Sequence, residues 1–344
     1  MTQTKVTTNL ITSMDASKLT GTLPASMSDI TKQSSDPTIS TNPAGGVGSI
    51  ILNTTTGKIF VCTDATAGAN VWTAGESGSV PNPYMVATGG VVTTDGSYKI
   101  HTYNSSDPFV VTSAGNTGTV EYLVVAGGAG GSANYGGGGG AGALMTATGL
   151  AVTAQTYNIV VGAGGVGGPL GSDGAGGQGI DSTFSSITAL GGGFGGRNVA
   201  GHEPGKAGGC GGGGHGANAG GTGSPGFNGG AGYGSSNYGT GGGGGMGAVG
   251  GAGTSSAGGA GGNGLANSIT ATAVTYCGGG GGGFRAAGTA AVGGAGGGGA
   301  GGVGTTNGVA GTANLGSGGG AGGTPSYTGG AGGSGVVIIR YQFQ

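Results

Sequence analysis

The chain has 344 residues and a formal charge of −2, with 100 glycines against nine basic and eleven acidic side chains. Nine Lys and Arg over that length form no basic stripe, which excludes a binder of nucleic-acid backbone. Of the glycines, 87 lie between Gly127 and Gly335, so that stretch has too few side chains to bury a conventional hydrophobic core.

Residues 1–44 are rich in Thr, Ser, Asn and Asp and have room for two short helical turns, at 15–18 and 27–31. With so little to bury, they read as an attachment arm that orders against another protein. The opening MTQTKVTTNLITSM lacks the continuous apolar core of a signal peptide, and the apolar run 336–339 is too short to span a bilayer. Cys62, Cys210 and Cys277 are isolated and odd in number, which fits synthesis in a reducing cytoplasm.

Residues 45–80 read as a small β-module. Its β-prone runs 49–53 and 58–63 are joined by a Thr-Gly turn, with Trp72 as the expected apolar plug. Pro81 and Pro83 mark a linker. Residues 81–125 alternate as strands do, at Tyr98, Ile100 and Thr102, and Asp95-Gly96 signals a hairpin. These strands lead straight into the first glycine run and form a platform.

From 126 to 344 glycine runs alternate with short connectors. Collagen is excluded, because glycine does not recur at every third position and proline is scarce. Extended helices with three residues per turn and about 3.1 Å rise make no internal hydrogen bonds, so each buried N–H and C=O must find a neighbouring helix. Glycine is then needed because only a bare Cα lets backbones approach that closely. Antiparallel runs require connectors to alternate between two ends. One set, at 146–161, 180–190, 267–276 and 336–341, is β-like and suits the platform. The quieter connectors 222–228 and 305–315 join it. The other set, at 132–135, 169–173, 194–206, 233–238, 284–292 and 324–328, carries the aromatic and charged residues. Six such loops at one tip predict about twelve helices of roughly 25–30 Å each.

The expected fold is therefore all-β and irregular: arm, β-module, platform, then a sandwich of antiparallel polyglycine II helices. Tyr135, Phe194, Arg197, His202, Tyr233, Tyr238, Phe284, Arg285 and Tyr327 fall at the predicted tip, and aromatics and Arg are the residue types that carry binding energy at interfaces. Catalysis is not expected. Gly205-Lys206 is followed by Ala207 rather than Ser or Thr, so no phosphate loop forms. Asp173, Asp181 and Glu203 do not give the carboxylate pair that glycoside hydrolysis needs. Cys210 with His202 and His215 falls short of a four-ligand zinc set. Neither metal nor cofactor is expected.

The blocks VEYLVVAGGAGG (120–131), TYNIVVGAGG (156–165), IDSTF (180–184), YCGGGGGG (276–283), GTANLGSGGGAGG (311–323) and GGSGVVIIRY (332–341) resemble, in order, the glycine-rich domain of phage tail-fibre proteins. The run architecture is similar to that of the distal receptor-binding adhesins of T-even-like phages, which fold as polyglycine II sandwiches. Residues 47–72 resemble a small β-module of marine phage fibres. The resemblance implies a virion tail-fibre tip, made in the host cytoplasm, whose loops bind a bacterial outer-membrane protein or polysaccharide. It also implies a homotrimer attached to other tail proteins through the N-terminal arm. The arm and β-module depart from the T-even pattern. A purely structural virion fibre is the alternative expectation, and an ice-binding protein is disfavoured by Tyr, Arg and Pro at the tips.

Overall fold

A computed structural model describes residues 30–42, 45–55, 58–74, 84–170, 174–197, 203–234, 239–285, 289–324 and 326–344. It divides into two units, Met1–Pro83 and Tyr84–Gln344. No helix occurs among the described residues, so the mostly β and irregular class holds.

The first unit is a four-stranded sheet in the order β1 (Ile30–Gln33), β2 (Ile50–Asn53), β3 (Ile59–Asp64) and β4 (Val71–Ala74). Ile30 and Thr31 are in a strand, not the helical turn expected at 27–31, because the edge of β2 offers them a parallel partner. The turn expected at 15–18 lies outside the described residues. Residues 30–42 thus join the module: Asn53 Nδ2 donates to Asp36 Oδ1 at 2.6 Å, and the Asn70 amide donates to the Ile39 carbonyl at 3.0 Å. Ile51, Phe60 and Cys62 fill the core, while Trp72 is only half-buried beside Cys62.

In the second unit, two five-stranded sheets face each other. One runs β10 (Leu144–Ala151), β9 (Thr119–Val125), β16 (Val336–Gln342), β7 (Tyr98–Tyr103), β6 (Val91–Asp95). The other runs β13 (Ile187–Ala189), β12 (Ser182–Phe184), β11 (Thr156–Val160), β8 (Pro108–Ser113), β5 (Val86–Thr88). The predicted hairpin is present, with Asp95 paired to Tyr98 and Gly96 at φ 55°, a value glycine takes without strain. Phe109, Tyr122, Tyr157, Phe184 and Tyr341 pack edge-on or tilted between the sheets. β16 reads VVIIRYQ and is buried on both faces. Its second face meets Ile269, Tyr276 and Cys277 at the base of the glycine region, where the hairpin β14 (Leu265–Asn267) and β15 (Val274–Tyr276) lies.

The glycine region is ordered by backbone. Along residues 126–134 the amides donate in strict rotation to three neighbours: 126, 129 and 132 to the carbonyls of 143, 140 and 137; 127, 130 and 133 to those of 180, 177 and 174; 128, 131 and 134 to those of 333, 330 and 327. That three-residue rotation is the period of an extended helix with three residues per turn. In chain order the runs are g1 (126–133), g2 (136–143), g3 (162–168), g4 (174–180), g5 (190–197), g6 (203–209), g7 (210–215), g8 (218–224) and g9 (226–232). They continue as g10 (239–245), g11 (248–254), g12 (257–264), g13 (277–284), g14 (291–295), g15 (297–303), g16 (306–312), g17 (316–324) and g18 (327–335). Odd-numbered runs lead away from the platform and even-numbered runs return, as the bond registers require.

Their arrangement is concentric. The central run g2 exchanges bonds with six runs, g1, g5, g7, g10, g13 and g17. Of those six, all but g5 also have six bonded neighbours. The other eleven runs form an outer shell in the order g4, g3, g18, g16, g15, g14, g12, g11, g9, g8, g6. A complete second hexagonal shell has twelve places, and the one that no run among the described residues fills is a corner between g4 and g6, beside g5. Burial follows this plan: g1, g2, g10 and g13 are buried at every residue, whereas outer runs such as g3 turn about one residue in three outward.

The layered sandwich of about twelve runs expected from sequence is thus replaced, among the described residues, by a hexagonal bundle of eighteen. Three pairs of reversals account for the difference: 208–210 with 215–218, 245–248 with 254–257, and 295–297 with 303–306. They are made mostly of Gly, Ala, Ser and Thr, so no change of composition announces them. Connector 305–315, assigned to the platform, in fact begins at the tip end and holds a whole run.

Positive φ is rare inside runs and falls at their ends, as at Gly216, Gly296 and Gly316. Close approach is what demands glycine. A Cβ on Gly139, in the middle of g2, would lie 2.2 Å from the Ala129 carbonyl oxygen, while Cβ atoms on Gly243 and Gly318 would each lie 2.0 Å from the Gly139 oxygen. Gly139→Ala is expected to lower the unfolding free energy by about 3 kcal/mol or more, since backbone cannot yield as a side chain does. Ala260→Val, at an exposed outer position, should stay within about 0.5 kcal/mol. Denaturant titration of the two variants checks this.

His101 makes the platform sensitive to acid. Its Nδ1–H donates to the Gly89 carbonyl at 2.7 Å, leaving Nε2 to accept from the Tyr341 hydroxyl at 3.1 Å. Burial, helped by the Lys99 charge and opposed by the Gly89 bond, holds its pKa below the usual histidine value. A base with a depressed folded-state pKa takes up protons first in the unfolded chain. Stability is therefore full above about pH 6.5 and declines as pH falls toward the lower folded-state pKa. The thermal midpoint should drop between pH 7.5 and 5, and His101→Gln should flatten that slope.

Candidate partner-binding tip

Five tip-end turns lie wholly or almost wholly within the described residues: 134–135, 215–218, 254–257, 303–306 and 324–327. The turn between g1 and g2 stands at the centre of the bundle. Asn134 and Tyr135 make it with φ of 51° and 49°, the left-handed conformation that Asn tolerates and Tyr rarely adopts. The half-buried Tyr135 ring lies 5.3 Å from the buried His215 ring at the end of g7, and the Arg285 guanidinium, at the end of g13, sits 5.9 Å over its centroid. Three run ends thus converge on one aromatic ring.

Hydroxyls pin the same end. Ser132 Oγ donates to the Gly195 carbonyl at 2.6 Å, Thr240 Oγ1 to the carbonyls of Gly136 and Gly283 at 2.6 and 3.1 Å, and Thr324 Oγ1 to that of Arg285 at 3.1 Å. Ser132 and Thr324 reach carbonyls across to neighbouring runs, while Thr240 adds a second donor to two carbonyls that already accept the amides of Gly283 and Thr240. His215, Ser132, Thr240 and Thr324 were not among the predicted site residues. Their sequence signal is a single polar residue at the tip end of a glycine run.

The predicted residues separate into several groups. Tyr135 and Arg285 are brought together as described. Tyr327 is half-buried beside them, its carbonyl accepting from the Asn134 amide at 3.2 Å. Tyr233, at the end of g9, is 47% exposed. Arg197 and Glu203 form a two-bond ion pair at 2.8 and 3.0 Å across their loop, and those bonds hold the Glu203 carboxyl below its usual range. Phe284 is buried at 4% exposure, its amide donating to the Gly302 carbonyl, so it is packing rather than contact surface. Phe194 sits half-buried about one turn below the end of g5, beside the vacant corner. His202 and Tyr238 lie outside the described residues. Asn134 Oδ1 is buried and has no hydrogen-bond partner among the described residues.

No group of three or more His, Cys, Asp or Glu that could hold a metal occurs among the described residues. Cys210 and His215 stand at opposite ends of g7, and burial pushes the Cys210 thiol up to about 12, far from thiolate reactivity. No curated protein matches the chain. A family model described as a glycine-rich domain matches residues 102–342, from β7 to the end of β16, and the chain belongs to that glycine-rich domain family.

Proposed function

We propose that this chain is a phage tail-fibre tip, a receptor-binding adhesin in which a polyglycine II scaffold presents distal loops to a bacterial surface receptor. The observation that carries the reading is the contrast between the two ends of the bundle. One end is consumed by two β-sheets, while the other gathers Tyr135, His215, Arg285, Tyr327 and Tyr233 on turns that a rigid backbone lattice holds in register. Such preorganisation limits the entropy lost on binding. The receptor is an outer-membrane protein or polysaccharide, the chain resides in the virion after synthesis in the host cytoplasm, and the N-terminal segment joins it to other tail proteins. No catalytic role enters this reading.

A purely structural virion fibre is the second reading. It is favoured by the burial of Phe284 and by the engagement of both Tyr135 and Arg285 within the tip itself. Adsorption of virions to host cells separates the two. Arg285→Ala combined with Tyr233→Ala is expected to slow adsorption at least about tenfold, as the loss of one or two interface anchors does. Val166→Ala on the flank should leave it unchanged. Unaltered adsorption by the folded double variant would support the structural reading instead.

A further inference from the structure

The two platform sheets have four edge strands, and three of them are blunted against further pairing. β10 is broken by a register shift between Ala147 and Leu150, with Gly149 at φ 76°. β5 and β13 have three residues each, and β5 shifts register between Val86 and Ala87. β6 differs. It runs five residues in unbroken register against β7, from Val91 opposite Thr102 to Asp95 opposite Tyr98. The Phe343 amide donates to the Ser97 carbonyl at 3.0 Å, so alternate residues of β7 turn their polar groups toward β16, and Tyr98, Ile100 and Thr102 turn theirs toward β6. On β6 the amides and carbonyls of Val92 and Thr94 therefore point outward, and none of the described residues bonds to them. No Pro, Gly or charge interrupts residues 91–94, where Val91 is 65% and Val92 46% exposed on opposite faces. Natural sheets rarely leave such an edge bare.

We propose that this edge accepts a strand of the tail protein that holds the N-terminal segment, making the platform a second attachment surface; the inference rests on the reading of the chain as a tail-fibre tip. Position and chemistry name the occupant. The chain enters the second unit at Tyr84, shortly before β6 starts at Val91. A partner that holds the preceding segment is thus tethered to the platform on this side, which raises its effective concentration at the edge. The edge takes an extended segment that offers an amide and a carbonyl at alternate residues, the pattern of strand addition. Its side chains meet Val91 and Val92 at one end and Thr93 and Thr94 at the other. Asp95, the one charge on β6, is already paired with Arg340 at 3.2 Å. An uncharged, β-branched segment therefore fits best. A second copy of β6 would bond through the same few groups over a contact too short to hold a dimer alone, whereas the tail protein adds this contact to the one it already makes. The sheet caps the bundle at the end away from Tyr135, so a strand added there leaves the tip turns clear.

Proline separates the edge from the fold. At Val92 or Thr94 it removes an outward amide and crowds the edge but spares the bonds to β7, a placement that edge strands tolerate. Virions assembled with each variant are purified and the chain is quantified against the capsid protein. Val92→Pro and Thr94→Pro are expected to load about tenfold less than wild type, the effect of one lost hydrogen bond and a steric clash, while the β7 amides stay protected from exchange. Thr94→Val keeps the amide and should load normally. If the proline variants fail to fold, Val91→Lys sets a charge on the bare edge and should give the same loss by a second route. Equal loading of the folded variants overturns the proposal and leaves the tail-fibre reading standing. Absence of the wild-type chain from virions defeats that reading, and this inference with it. A purified wild-type chain whose mass falls on Thr94→Pro has a second copy on the edge, which also overturns the proposal.

Discussion

The hydrogen bond between one glycine run and the next is the interaction on which everything else in the second unit rests. A three-residue helix points successive amides in three directions, so each run needs neighbours on several sides before its polar groups are satisfied. No run is stable alone, and g2 reaches full satisfaction only because six others surround it. The absence of side chains is thus the source of cohesion. Bare Cα atoms at most of the contacts bring carbonyl oxygens to within about hydrogen-bond distance of the neighbouring run, at the expense of a large backbone ordering entropy. What a conventional core gains from apolar burial, this one gains from density of bonded backbone.

Such a lattice has no preferred starting register of its own, because one glycine resembles the next. The platform supplies it. β9 passes directly into g1 and g18 passes directly into β16, and these two strands are paired with Val336 opposite Val125. Both strands are buried on both faces, with Tyr122, Val124, Val337 and Ile339 in the aromatic layer and Leu123, Val125, Val336 and Ile338 against the base of the glycine region, and a slip of one residue would exchange the two sets. The first and last runs are therefore locked in phase by an ordinary sheet. Ser182, whose hydroxyl donates to the Val125 carbonyl and accepts from the Gly162 amide, ties g1 and g3 together at the same level.

What could be read from sequence divides along the same line. The hairpin at Asp95-Gly96, the strand character of 119–125 and 336–342, and the ends of the connectors rich in β-branched or aromatic residues were legible, because side chains announce them, whereas the polar connector 305–315 was placed at the wrong end. The reversals at 208–210, 245–248 and 295–297 were not, because a glycine run that turns and a glycine run that continues have nearly the same composition. Burial at the tip was equally hidden. Phe284 and Arg285 are adjacent in sequence, yet one is covered by a neighbouring run and the other is exposed, a distinction set by the number of runs and not by residue type. His215 was weighed only as a metal ligand and not as part of the tip set: it sits in a stretch without other aromatic residues, and its partner ring lies 80 positions away along the chain.

The vacant corner beside g5 follows from counting. The chain enters the lattice from β9 and leaves it into β16, both at the platform, so outbound and inbound runs must be equal in number. A filled two-shell hexagon is odd, and no single chain tethered at one end can complete it. The closest even approach leaves one place open, and here Phe194 and the Asp181 carboxylate, bound to the Gly191 amide at 2.7 Å, border that place. Relatives built on this plan should differ in size by whole hairpins, each bringing a new loop to the far end, so that growth of the scaffold and diversification of its surface are the same event.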